Sequence, residues 1–431
     1  MVSVAAADEF SMLELLIGLP NIRVLRVEKH DGVLEIHLET AVPLAFCGSC
    51  GMAGVVKDRP KVRYADLPAF GQQAVLVWQK YRWKCPGENS TWTEERPDIA
   101  ARSSSAMTHR AGVWATIQIG RYVRPVSQVA AEIGVSWNTV MAAVMFYGGP
   151  LIDDPERLKT VNHMGVDETV FQSAGINRRR SFVTAVSDLE ARKVLDVFEG
   201  RQRVDLANWL AEQPVVWRDQ IAVVVTDLHE PFRKAISEQL PGSTLVADPM
   251  HVVMSANRCP DKTRRRVQNE QLAHRGRAHE PLYGVRKLLL FAAEKLAPRL
   301  KKRFDIMLAF GDPQGEVYEA WMFKELVRDI YTLYGKPAQA THWVDSLIVD
   351  CKESTVPEIR GLGRVLKQWR DPILAWHTTG ASNGPAEGLN SIIKKLKRVA
   401  AGFQRFDHYR TRILLAIGGV NWNNLPNPAQ L

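Results

Sequence analysis

Between residues 160 and 251 the chain alternates short apolar runs with stretches of helical periodicity. Three runs close on an aspartate: His163-Met-Gly-Val-Asp167, Val223-Val-Val-Thr-Asp227 and Leu245-Val-Ala-Asp248. Apolar runs of this kind read as buried strands. Carboxylates that end such strands can converge at one edge of a sheet. The predicted strands are 163–171, 181–188, 193–199, 221–227 and 244–248. Val204 to Glu212 is predicted helical, with Leu206, Trp209 and Leu210 inward. So is Pro231 to Leu240, with Pro231 in its first turn.

Three strands in succession form a meander, and the helical crossovers then bring parallel strands beside it. That order predicts an α/β fold, an RNase H-like mixed sheet flanked by helices. Segments rich in Leu, Lys and Arg fill 252–375 and predict a helical insertion. Within it, Arg264, Arg265 and Arg266 are a candidate phosphate patch, or else a solvated face. Arg178, Arg179 and Arg180 stand at the turn between the first two strands, where they are solvated or touch phosphate.

The N-terminal third has a different pattern. Ile22 to Glu39 predicts a β-hairpin about Asp31-Gly32, with Leu34, Ile36 and Leu38 alternating with polar residues. A further strand is expected over Ala74 to Trp83. Cys47-Gly-Ser-Cys50 and Cys85-Pro86 outline a small β-rich, zinc-ribbon-like unit. A closed structural zinc site takes four ligands, and these cysteines supply three. Glu88 is a candidate fourth; the alternative is a metal-free unit with buried thiols. Cys259 and Cys351 have no partner in sequence and read as structural.

Residues 105 to 148 read as helical, and Val126 to Val140 has helix-turn-helix spacing. Gly134 suits the tight turn, and Ser136 suits the cap of the second helix. Trp137, Asn138 and Thr139 then lie at its N-terminus, where such modules touch base edges. The alternative is a structural pair of helices. The predicted domains are 1–100 (β-rich), 101–150 (helix-turn-helix), 160–251 (first part of the core), 252–375 (insertion) and 376–431 (a helix completing the core, then the tail).

The last strong helix opens at Asn383-Gly-Pro385, with Asn383 as candidate cap. At helical spacing Leu389, Ile392, Ile393, Leu396, Val399, Ala400 and Phe403 share one face, and Glu387, Asn390, Ser391, Lys394 and Arg398 the other. Lys394, Lys395, Lys397 and Arg398 form a surface suited to phosphate. Acids gathered near phosphates commonly hold divalent cations. Asp167, Asp227, Asp248 and Glu387 therefore point to metal-dependent phosphoryl transfer on nucleic acid.

Composition agrees. A net charge of +9 and a pI near 9.3 suit an anionic partner. A hydrophobic share of 46% suits packed cores. Five scattered cysteines suit a reducing compartment rather than a disulfide framework. No apolar run is long enough to span a membrane, and the N-terminus shows no secretory pattern. The expected location is the cytoplasm.

These residues resemble a known family. Gly165-Val-Asp167-Glu168, Thr226-Asp227 followed by Pro231-Phe232, Ala247-Asp248-Pro-Met-His251, and the long segment Asn383 to Phe403 are similar to the ISL3 insertion-sequence transposases, as is Tyr409-Arg-Thr-Arg412 in the tail. The chain departs from that pattern in the ribbon's missing fourth cysteine.

The resemblance implies a DDE transposase whose triad is Asp167, Asp227 and Glu387. Asp248 is the rival second aspartate, and His251 belongs to an accessory motif. It implies two Mg²⁺ or Mn²⁺ ions about 3.5–4 Å apart, and Zn²⁺ in the ribbon. It implies binding to terminal inverted repeats, cleavage at the element's ends and joining to target DNA, by at least a dimer. A non-catalytic, sequence-specific DNA-binding regulator and a structure-selective nuclease remain the alternatives. Glu168, next to Asp167, is expected to point to the opposite side of its strand.

Overall fold

A computed structural model describes residues 9–43, 45–100, 106–175 and 179–426. Arg178 lies outside the described residues; Arg179 and Arg180 are exposed. The chain divides into two compact units, Met1–Leu158 with Ile392–Leu431, and Lys159–Ser391.

In the first unit, helix α1 (Glu9–Ile17) precedes β1 (Ile22–His30) and β2 (Val33–Thr40), which pair as the expected hairpin. Then come β3 (Val55–Asp58), β4 (Lys61–Ala69), β5 (Gln72–Gln79), β6 (Arg82–Lys84) and β7 (Thr91–Thr93). One sheet has the order β1-β2-β5-β4, and a small one the order β3-β6-β7. The strand expected over 74–83 is thus two strands in two sheets. Lys80 leaves the ladder between them: its N–H donates to Pro60 O and its side chain is buried.

Helices α2 (His109–Gly120), α3 (Val126–Ile133) and α4 (Trp137–Ile152) follow. Val129, Ile133, Val140 and Val144 share their apolar core. Gly134 ends α3 at φ 81°, a conformation that a side chain disfavours. The Ser136 hydroxyl accepts the Thr139 N–H and caps α4, and the two helix axes turn through 105°.

In the second unit, β8 (His163–Gln172), β9 (Ser181–Asp188) and β10 (Lys193–Glu199) form the antiparallel meander. Helices α5 (Arg203–Ala211) and α6 (Val215–Asp219) lead to β11 (Val223–Thr226), and α7 (Glu230–Gln239) leads to β12 (Thr244–Ala247). The sheet order is β10-β9-β8-β11-β12, with β11 parallel to both β8 and β12. A strand with parallel neighbours on both sides and layers on both faces needs a continuous apolar run. Val223, Val224 and Val225 are all buried, each such side chain stabilising by roughly 1.5–3 kcal/mol.

A helical stretch follows, with α8 (Pro249–Leu272), α9 (Pro281–Val285), α10 (Pro298–Gly311), α11 (Glu316–Ile330), α12 (Pro337–Glu353), α13 (Pro357–Gln368) and α14 (Arg370–Thr379). Cys259 and Cys351 are buried in its core, and burial pushes each thiol up to about 12. Helix α15 (Gly384–Val399) begins in this unit, where Ala386 packs with Leu189, Val223, Val225 and Val246. Helix α16 (Phe406–Ile417) belongs to the first unit, where Leu415 joins the core of α2 and α4. Among the described residues no single helix is long and apolar enough to cross a membrane.

Candidate active site

Strands β8, β11 and β12 run parallel in register, Val166 beside Thr226 and Thr226 beside Ala247. The residue after each pairing is an aspartate, so Asp167, Asp227 and Asp248 arrive at one edge of the sheet. Their environments differ. Asp167 is half-buried; its Oδ1 accepts the Glu168 N–H at 2.7 Å and its Oδ2 accepts from the Asn390 amide. Burial, and then the charge of Asp227, push its carboxyl up to about 6. A quarter of the Asp227 side chain is exposed (25%).

Asp248 is 3% exposed and caps α8. Its Oδ2 accepts the His251 N–H at 3.2 Å and His251 Nδ1–H at 3.0 Å, and its Oδ1 accepts the Asn383 N–H at 2.8 Å. Burial opposes ionisation of Asp248, but the bonds from His251 and Asn383 outweigh it and hold the carboxyl below its usual range. His251 Nδ1 also lies 2.9 Å from Asp227 Oδ1. Held by Asp227 first and Asp248 second, the imidazole is pushed up to about 10 and carries the compensating positive charge.

The start of α15 closes the arrangement. Asn383, Glu387 and Asn390 recur at helical spacing on one stripe. The Asn383 amide reaches Asp227 Oδ1 at 3.5 Å, Asn390 donates to Asp167, and Glu387 offers an oxygen within 4.8 Å of ligand atoms of Asp248 and His251. The side chain of Asn383 does not serve as the expected cap of this helix. Its Nδ2 turns to Asp227, and its buried Oδ1 has no partner among the described residues. Gly165 makes room for this segment: a Cβ there would lie 3.1 Å from Asn383 Oδ1 and 2.6 Å from Leu189 Cδ2.

Two expectations about faces change. Ile392 is 41% exposed rather than inward, whereas Asn390 is buried against Asp167. Glu168 does not point away. It lines the same cleft as Asp167, held by Arg201 at 3.0 Å and facing His229 Nε2 at 3.7 Å. Strand β8 outruns β11 beyond Val166, so the edge facing the cleft is open and both acids reach it.

The cleft has a volume of about 390 Å³ and runs from Asp167 and Asp227 past His251, Ser255 and Arg258 to Gln368 and Trp369. Carboxylate oxygens suit hard divalent cations such as Mg²⁺ or Mn²⁺. Asp167 and Asp227, close enough for the charge of Asp227 to raise the proton affinity of Asp167, suit such ions, while Glu387 gathers with Asp248 and His251.

In the first unit, Cys47, Cys50 and Cys85 bring their sulfurs within 4.8 Å of one another, with Cys50 and Cys85 3.4 Å apart. Glu88 Oε2 is 3.9 Å and Ser90 Oγ 3.7 Å from Cys47 Sγ. Tetrahedral zinc with bonds of about 2.3 Å spaces its sulfur ligands by about 3.8 Å, so this donor set fits zinc. At the other predicted DNA contacts, Trp137 and Asn138 are exposed and Thr139 is half-buried. Trp137 packs on His408 with ring centroids 5.6 Å apart. Lys394, Lys395 and Arg398 are exposed and Lys397 half-buried.

Comparison with known proteins agrees with this geometry. The ISL3 transposase family model matches residues 164–413, and a model described as the zinc-finger of transposase IS204/IS1001/IS1096/IS1165 matches residues 43–87. The chain is 24% identical over 422 residues to the transposase for insertion sequence element IS1001 of Bordetella parapertussis, covering 95% of this chain and 98% of that one. It is 26% identical over 290 residues to the transposase for insertion sequence element IS1557 of Mycobacterium tuberculosis, 63% of each chain. With the family match spanning more than half its length, the chain belongs to the ISL3 family of DDE transposases, DNA-processing enzymes of insertion sequences.

Proposed function

We propose that the protein binds the terminal inverted repeats of its insertion sequence, cleaves DNA at the element's ends and joins them to target DNA. The observation that carries this reading is the stripe Asn383, Glu387, Asn390, which meets all three strand-end aspartates. The sheet order β10-β9-β8-β11-β12 supports an RNase H-like core over 160–251, interrupted by the insertion at 252–375 and completed by the helix that starts in 376–431.

In this reading Asp167, Asp227 and Glu387 would hold two divalent cations. Bound there, these ions would lower the pKa of an attacking hydroxyl and stabilise the leaving oxygen. The chain's own work is positioning. Asn390 fixes the rotamer of Asp167, and His251 holds Asp227 with its Nδ1–H. Asp248 acts as a positioning residue, because its oxygens already serve the α8 cap, the His251 ring and the Asn383 backbone. In-line attack by water on phosphorus expels the 3′-oxygen and leaves a 3′-hydroxyl. That hydroxyl attacks a target phosphate in the joining step, expelling the target's 3′-oxygen. No protein nucleophile takes part.

Residues 1–100 and 101–150 would read the ends. The α3–α4 pair supports a helix-turn-helix: its 105° angle lies within the range for such modules. Asn138 is exposed at the N-terminus of its second helix. The cations at Lys394, Lys395, Lys397 and Arg398 would hold backbone phosphates. Joining two ends suits at least a dimer.

The test is end cleavage and strand joining with Mg²⁺ on DNA carrying the element's own termini. Wild type should nick and join. Asp227→Ala should do neither at unchanged DNA affinity, and Asp248→Asn should retain measurable cleavage. Binding without any cleavage by wild type would favour a DNA-binding regulator.

A further inference from the structure

Where the DNA runs after it leaves the carboxylates is a separate question, and the cations of the insertion bear on it. The triplet Arg264, Arg265 and Arg266 is internally occupied. Arg264 is buried and bonded to Asp261 and Gln268, and Arg265 pairs with Asp261. Arg266 pairs with Glu270, Glu316 and Glu358. Other cations are open to solvent. Arg258 and Lys262 on α8 and Arg364 on α13 are exposed, and none makes an ion pair among the described residues.

These three cations line one groove. Ser255, Arg258 and Lys262 recur at three- and four-residue spacing along α8, so they share a face. Gly361, Arg364 and Val365 do the same on α13. The two helices enclose a depression of about 450 Å³ lined by these residues. It shares Ser255, Arg258 and Val365 with the cleft that holds Asp167 and Asp227. The groove therefore continues the cleft, with Arg258 about two helical turns beyond His251. Its one carboxylate, Glu358, is already neutralised by Arg266 at 2.9 Å.

We infer that the groove between α8 and α13 binds the backbone phosphates of the DNA strand adjoining the scissile phosphate, with Arg258, Lys262 and Arg364 as the contacts. The direction of the strand rests on the carboxylate site being the cleavage site; the binding itself does not. Exposed cations held open beside an acidic centre give a polyanion a path past the repulsive carboxylates, and each phosphate neutralised releases counterions.

The experiment measures affinity against salt concentration, with no Mg²⁺ or Mn²⁺ added, for two duplexes of equal length: one spanning an element end and its flank, one of random sequence. Removing the cation that neutralises one phosphate should reduce the log–log slope by about 0.9. Arg258→Gln, Lys262→Gln and Arg364→Gln should each show this on both duplexes. The triple variant should lose roughly three times as much, and Arg258→Lys should restore the slope. Arg265→Gln removes the same charge from α8 outside the groove and should leave the slope near wild type. Thermal melting confirms that each variant is folded. A triple variant with the slope of Arg265→Gln would overturn the inference. Because the cations that cleavage needs are withheld, the slopes stand whether or not the protein cleaves. Asp227-dependent cleavage with unchanged slopes would defeat the groove alone, and changed slopes without cleavage would defeat only the catalytic reading.

Discussion

The side-chain amide of Asn390 donates to the carboxylate of Asp167, a residue 223 positions earlier in the chain. Asn390 is buried and sits one turn beyond Glu387, so this bond fixes both the rotamer of Asp167 and the approach of the helix that carries Glu387. The first aspartate and the glutamate of the proposed triad are thus set by one hydrogen bond that involves no metal.

Asn390→Ala should therefore lower the single-turnover cleavage rate at least tenfold while leaving affinity for the element's ends unchanged. Losing a buried hydrogen bond to a charged partner should also cost about 1.5–3 kcal/mol of stability. Rapid-quench cleavage and chemical denaturation check the two effects. A variant that cleaves normally would separate Asn390 from the site.

Asp227 and Asp248 should respond to substitution in different ways. Asp248 caps α8 and anchors Asn383, so Asp248→Ala should lower stability by at least the roughly 0.5–2 kcal/mol typical of removing a cap. The Asp227 side chain meets His251 and the Asn383 amide rather than the backbone. Asp227→Ala should therefore melt close to wild type while losing cleavage. Paired thermal melts and cleavage assays distinguish them; equal destabilisation would contradict the division of roles.

Much of this is legible in the sequence. The strands expected at 181–188 and 193–199 form over those same residues, because alternating or continuous apolar runs have few other ways to be buried. The convergence of Asp167, Asp227 and Asp248 follows from strands that end in register. The positioning network is harder to read. Asn383 looks like a helix cap because Asn before Gly-Pro usually is one; only the fold brings Asp227 within its reach. Asn390 shares a helical stripe with Glu387, and that spacing is the one signal the sequence offers. A polar stripe reads as solvent-facing until the sheet edge it meets is known. Arg258 and Arg364 cannot be joined from sequence, since their groove exists only once α8 and α13 pack.

The zinc donor set makes a sharper prediction than its spacing does. Protein as purified should carry one zinc, absent in Cys47→Ser. Glu88→Ala should weaken zinc retention against a chelator, because its carboxylate stands 3.9 Å from Cys47 Sγ. Metal analysis after dialysis reads both. Cys259 and Cys351, buried with thiols pushed up to about 12, should stay unreactive towards thiol reagents until the protein unfolds. Full zinc in Glu88→Ala would transfer the fourth position to another donor.

Asn138→Ala should narrow the difference in affinity between terminal-repeat DNA and scrambled DNA, costing roughly 1–3 kcal/mol on the repeat alone. Fluorescence anisotropy on both duplexes measures this. Equal losses on both would make Asn138 a phosphate contact rather than a base reader.

The most direct measurement is anomalous diffraction from crystals of the protein bound to its end DNA and soaked with Mn²⁺. Manganese should appear bounded by the carboxylates of Asp167, Asp227 and Glu387, and should vanish in Asp227→Ala crystals. Manganese held only by Asp248, His251 and Glu387, with Asp167 touching no metal, would contradict the assignment.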